Sequence, residues 1–143
     1  MRKSKSITDQ LRTSGFRVTA VRQAILEILS QSKKPLSYFD LGKMLSYKKM
    51  YPNKTTIYRE LDFLRKQKLA VGVQFHDGVM RYEMIGAKHH HHIVCLDCNR
   101  VEDVFVKENL HHQEKLIAKN KLFFNVMHAL EFYGRCHSCV NNR

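Results

Sequence analysis

The chain has 143 residues, with 25 Lys plus Arg against 13 Asp plus Glu, a formal net charge of +12, and 43% hydrophobic residues. That length fits one domain or two small ones, and units that small commonly need a metal, disulfides or a partner subunit. No apolar run approaches the roughly 18 residues that span a bilayer, and no apolar core follows the basic start, so a soluble cytoplasmic protein with no membrane partner is expected. The excess of cations points to a polyanion, nucleic acid first.

Ser6–Leu11 reads as the start of a helix. Thr19 caps a stronger one, in which Val21, Ile25, Ile28 and Leu29 recur at helical spacing. Ser30–Pro35 breaks it. Ser37 caps the next, with Asp40 at the capping-box position and Leu41, Met44 and Leu45 as its apolar stripe. Tyr47–Pro52 is a loop. Asn53–Lys68 follows as a helix, burying Ile57, Leu61 and Leu64 while Thr55, Tyr58, Arg59 and Asp62 fall largely elsewhere. Two strand-like runs, Leu69–Phe75 and Val79–Glu83, flank His76-Asp77-Gly78, a hairpin signal. Three helices and a hairpin outline a winged helix-turn-helix.

Ile85–Lys88 is the candidate hinge, which divides the chain into residues 1–84, 85–88 and 89–143. Beyond it the composition turns rich in His and Cys. Ile93–Cys95 and Val101–Val106 read as strands and Glu108–Lys119 as a helix. Phe124–Phe132 alternates, with Phe124, Val126, His128, Leu130 and Phe132 on one face. This half is a small α/β unit, so the expected fold class is α+β.

Cys95-Leu-Asp-Cys98 and Cys136-His-Ser-Cys139 form two Cys-x-x-Cys pairs. In a reducing compartment such pairs favour metal over disulfides, and four thiolates suit a structural Zn2+. A redox dithiol needs only one pair, before a helix in a thioredoxin-like unit that is not seen here. His89-His90-His91-His92 begins just before the first pair. If extended, its side chains alternate, so that two imidazoles serve each of two sites; the alternative is a solvated polar loop. His89, His91, His111 and His128 make one chemically reasonable pocket for zinc or another borderline ion. His90 and His92 with Glu83 and Asp103 make the other. Glu83 ends the wing, so an ion held there would fix the hinge.

Gly15–Arg22, Lys54–Leu61, Arg81–Glu83, His89–Cys98 and His128–Cys139 resemble the ferric uptake regulator family in order and spacing, from about Leu11 to Cys139. The resemblance implies an N-terminal winged-helix DNA-binding domain, a C-terminal dimerisation domain, and a homodimer on a palindromic double-stranded operator. It implies that Tyr58 and Arg59 contact bases or nearby phosphates, that Arg17 reaches the minor groove, and that Lys54, Thr55 and Thr56 contact phosphate. The cysteines fall on its structural zinc site, Glu83, His90, His92 and Asp103 on its hinge sensing site, and His89, His91 and His128 on its third site. Two departures stand out. Lys33–Ser37 lacks the sensing histidine often found there, leaving His76 or water as substitutes. The usual third-site Glu falls on His111 or on Leu110, with Glu108 as a fallback. The wording leans toward the zinc-uptake branch, with Zn2+ or Fe2+ as the regulatory ion and Mn2+ a further candidate.

The expected function is therefore a metal-dependent transcriptional repressor, with no enzymatic activity and no small-molecule substrate. The sequence has no His-Glu-x-x-His and no general base aimed at a metal-bound water. The alternatives are a peroxide-sensing repressor of the same family, in which iron oxidises a ligand histidine, and a zinc-stabilised DNA-binding module without sensing.

Overall fold

Capping chemistry and apolar spacing set the helices of the first half. The computed structural model describes residues 6–86 and 88–141. It divides into two compact units, Met1–Ile85 and Gly86–Arg143. The residues before Ser6, and Ala87 in the hinge candidate, lie outside those described.

In the first unit, α1 (Ile7–Thr13) starts at Ser6, whose hydroxyl accepts from the Asp9 N–H. Thr19 accepts from the Arg22 N–H and starts α2 (Ala20–Gln31). Ser37 and Asp40 form a reciprocal capping box on α3 (Tyr38–Tyr47). Asn53 accepts from the Thr56 N–H at 2.8 Å and starts α4 (Lys54–Lys66). Ile25, Leu41, Leu45, Ile57, Leu61 and Leu64 are fully buried together. Side chains of this size each contribute roughly 1.5–3 kcal/mol when removed from water.

Three strands complete the unit: β1 (Leu36–Ser37), β2 (Ala70–Gln74) and β3 (Met80–Met84), in the order β1-β3-β2, all antiparallel. Two strands were expected. The third, β1, is two residues long, so it has no alternation to detect, and only its pairing with Tyr82 and Arg81 makes it a strand. The hairpin turns at Gly78, whose φ of +73° suits a residue without Cβ.

The second unit contains β4 (His91–Cys95), β5 (Val101–Val104), α5 (Leu110–Lys121), β6 (Glu131–Gly134) and α6 (His137–Asn141). Its sheet runs β5-β4-β6, with β4 antiparallel to β5 and parallel to β6. The parallel pair requires a crossover, which carries α5.

The expected strand over Phe124–Phe132 is corrected: only Glu131 and Phe132 of it are in β6. Within it Asn125 adopts a left-handed φ of 53°, incompatible with an extended run. The ladder to β4 pairs His92 with Glu131 and runs forward from there, so alternation upstream of that pairing has no neighbour to bond to. Phe124 is accordingly 92% exposed. No helix of the described residues is long and apolar enough to cross a membrane.

Candidate metal centres and nucleic-acid interface

The four cysteines converge. β4 ends at Cys95, the turn after it carries Cys98, and Cys136 and Cys139 bracket the start of α6. Their sulfurs lie within 4.8 Å of one another, and Cys98 Sγ stands 3.8 Å from Cys136 Sγ. Four thiolates about 2.3 Å from a tetrahedral zinc stand about 3.8 Å apart, so the geometry fits that ion. All four thiols are free. The Cys136 N–H donates to Cys95 Sγ at 3.3 Å, and this contact and others from the backbone lower the Cys95 thiol to about 6. Cys139, hydrogen-bonded to Cys136 and then Cys98, is pushed up to about 12. The quartet thus resists carrying several negative charges at once, which a divalent cation relieves.

Strand alternation in β4 sends His91 and His92 to opposite faces. On the first face three imidazoles meet. His89 Nε2 lies 3.2 Å from His91 Nε2 and 3.1 Å from His128 Nε2. Nitrogens about 2.05 Å from a tetrahedral ion stand about 3.3 Å apart, so this group also fits a divalent cation. The outer nitrogens are engaged: His91 Nδ1 faces the Leu130 carbonyl at 3.0 Å, and His128 Nδ1 faces Glu114 Oε1 at 2.7 Å. Burial, then the neighbouring imidazoles, hold His89 and His91 below the usual histidine value, favouring the neutral form that binds metal.

His111 stands at the edge of this group. Its ring centroid is 4.9 Å from that of His89, but its Nδ1 turns to Glu114 Oε2 at 2.9 Å. Glu108, the fallback, is not in the convergent set among the described residues. Glu114, on α5, was not singled out from the sequence. The available signal was its place one helical turn after His111.

On the opposite face the His90 and His92 rings meet nearly at right angles, with centroids 5.1 Å apart. Asp103 opposes His92 across the β4–β5 ladder. Glu131 opposes it across β4–β6, its Oε2 3.3 Å from His92 Nδ1. Nothing local in the sequence marks Glu131, because its partner His92 lies 39 positions away. Glu83 belongs to the first unit, half-buried in β3 opposite Val71. His76 is exposed beside the wing turn.

In the first unit, α4 presents Lys54, Thr55, Tyr58 and Arg59 as exposed residues, with Thr56 half-buried. Tyr58 stacks on Tyr38 of α3, centroids 5.4 Å apart and planes 16° from parallel. Lys54 Nζ lies 5.6 Å and 5.8 Å from those two ring centroids. Arg17 sits in the loop before α2, and its carbonyl accepts from Arg22 Nη1. Arg22 in turn donates to Glu60 of α4 at 2.7 Å, so one guanidinium joins the Arg17 loop to that helix.

A family model described as the ferric uptake regulator family matches residues 13–133. The ferric uptake regulation protein of Bacillus subtilis (strain 168) is 33% identical over 137 residues, covering 93% of this chain and 91% of that protein. The peroxide operon regulator of the same strain is 31% identical, covering 94% and 92%. The crystal structure of the Vibrio cholerae ferric uptake regulator superposes with a TM-score of 0.71 at 30% identity, covering 92% of this chain and all of that one.

Proposed function

The chain belongs to the ferric uptake regulator family, and from that premise we propose that it is a metal-dependent repressor that binds a palindromic operator as a homodimer. Members of this family regulate transcription and are not enzymes. The observation that carries the metal-dependent reading is the meeting of three imidazole Nε2 atoms within about one coordination sphere.

In this reading Cys95, Cys98, Cys136 and Cys139 hold a structural zinc. His90, His92 and Asp103, with Glu83 from the wing strand, take the regulatory ion, Zn2+ or Fe2+, with Mn2+ a further candidate. His89, His91 and His128, with His111 beside them, form a third site. When bound, a divalent cation supplies a positive centre that holds neutral imidazoles and carboxylates together. The residues themselves do the rest: ligands drawn from both sides of the hinge restrict its freedom. The population of the DNA-competent dimer then rises with the free energy of ligation. Arg17 reaches into the minor groove, Lys54, Thr55 and Thr56 contact phosphate, and Tyr58 and Arg59 meet bases or nearby phosphates.

Replacing His90 and His92 with Ala separates this reading from a zinc-stabilised module without sensing. The expected outcome is loss of the metal-induced gain in operator affinity with the cysteine-bound zinc retained, measured by gel shift and elemental analysis. An undiminished gain would favour the plain module.

A further inference from the structure

His128 lies in irregular backbone between α5 and β6, where no strand ladder orients its ring. One side chain does so instead. Glu114 Oε1 accepts from the His128 backbone N–H at 3.1 Å and lies 2.7 Å from His128 Nδ1. Glu114 Oε2 lies 2.9 Å from His111 Nδ1. The Glu114 and His128 side chains are 17% and 19% exposed, whereas that of His111 is 61% exposed.

We propose that Glu114 is the positioning residue of the three-histidine site: it holds His128 in the tautomer that carries its proton on Nδ1 and so aims Nε2 at the ion, while its second oxygen tethers His111. The inference rests on the reading of His89, His91 and His128 as a metal site.

Three features support it. Both Glu114 oxygens are engaged by Nδ1 atoms, and the convergent point is defined by Nε2 atoms, so the carboxylate stands behind the ligand ring. The two-point grip on His128, backbone and ring, fixes the ring relative to its own main chain. His91 has the same arrangement with the weaker Leu130 carbonyl in the carboxylate's place. A carboxylate behind a ligating imidazole fixes its tautomer and raises its donor strength, and losing it typically lowers metal affinity 10–100-fold.

The test uses the full chain with zinc at the four cysteines and the histidine sites empty. Long-range proton–nitrogen NMR reads the His128 tautomer, and a cobalt(II) titration followed by visible absorption reads affinity. The wild type should show His128 protonated on Nδ1. Glu114→Ala should mix the tautomers, weaken cobalt binding about 10–100-fold and alter the absorption bands. Glu114→Gln, whose amide oxygen still accepts from Nδ1–H, should keep the tautomer and most of the affinity. Unchanged cysteine-bound zinc and helix content would show that the fold survives. Should the Ala variant unfold, the wild-type tautomer and the Gln variant still decide the matter. His128 protonated on Nε2 in the wild type, or unchanged tautomer and affinity in Glu114→Ala, would overturn the proposal. So would a Gln variant as defective as Ala, which would make Glu114 a direct ligand. His128→Ala with undiminished cobalt binding would instead remove the three-histidine site itself.

Discussion

Arg22 reaches Glu60 at 2.7 Å, covers the Phe63 ring at 3.6 Å and donates to the Arg17 carbonyl. The Arg22 and Glu60 side chains are only 13% and 8% exposed, so removing either leaves its partner charged and poorly solvated. Glu60→Ala should cost roughly 3–5 kcal/mol of stability in denaturant unfolding, and a loss below about 1 kcal/mol would show that water replaces the carboxylate. At Lys54 the expected effect is on DNA. Lys54→Ala should weaken operator and unrelated DNA alike, and reduce the slope of log affinity against log salt by about 0.9 per protomer. A loss confined to operator DNA would instead assign Lys54 a role in reading bases. Residue-level chemistry was legible where it is local. Thr19, Ser37 and Asp40 follow short-range capping rules and stand where expected. Glu60 was not, because its partner is 38 positions away and nothing in the sequence of α4 announces it.

Among the elements, the wing is held by its own charges. Arg81 donates to both carboxylate oxygens of Asp77, and this guanidinium lowers the Asp77 pKa to about 2. A depressed carboxylate contributes stability that is fully present above its ordinary value of 3.8 and is lost as pH falls through about 2. A carbon-13 NMR titration should find the Asp77 midpoint near 2, moving up toward 3.8 when Arg81 is replaced by Met. An unchanged midpoint would remove Arg81 as the cause. The wing hairpin was legible because Asp77-Gly78 and the flanking alternation act over a few residues. The stretch before β6 misled for the converse reason. Alternation at Phe124, Val126, His128 and Leu130 is necessary for a half-buried strand, but a strand also needs a neighbour, and that neighbour is set by the ladder between β4 and β6. The difference reaches the candidate site, because His128 lies outside any ladder and its ring is held by Glu114 instead.

For the whole molecule, the contrast between the two units decides what each needs. The first has a continuous apolar core. In the second, the buried residues among those described are His91, His92, Val94 and Cys95, and α5 buries none. Phe123, Phe124 and Met127 are largely exposed. So small a core leaves much of the unit's stability to a metal clamp, and in the proposed homodimer a second copy would cover the exposed apolar surface. Cys98→Ser should therefore lose the structural zinc and collapse amide dispersion in the second unit's NMR spectrum, with the first unit's signals retained. A well-dispersed second unit without zinc would contradict the clamp. Metal dependence of DNA binding is the property that the proposed repressor requires. The most direct measurement is fluorescence anisotropy on a palindromic duplex selected from a random-sequence pool, with the cysteine-bound zinc kept in place. The regulatory ion is then added or withheld with a weak chelator. Affinity should be at least about tenfold higher with the ion, a coupling of about 1.4 kcal/mol or more; equal affinity in both conditions would rule out metal control of DNA binding.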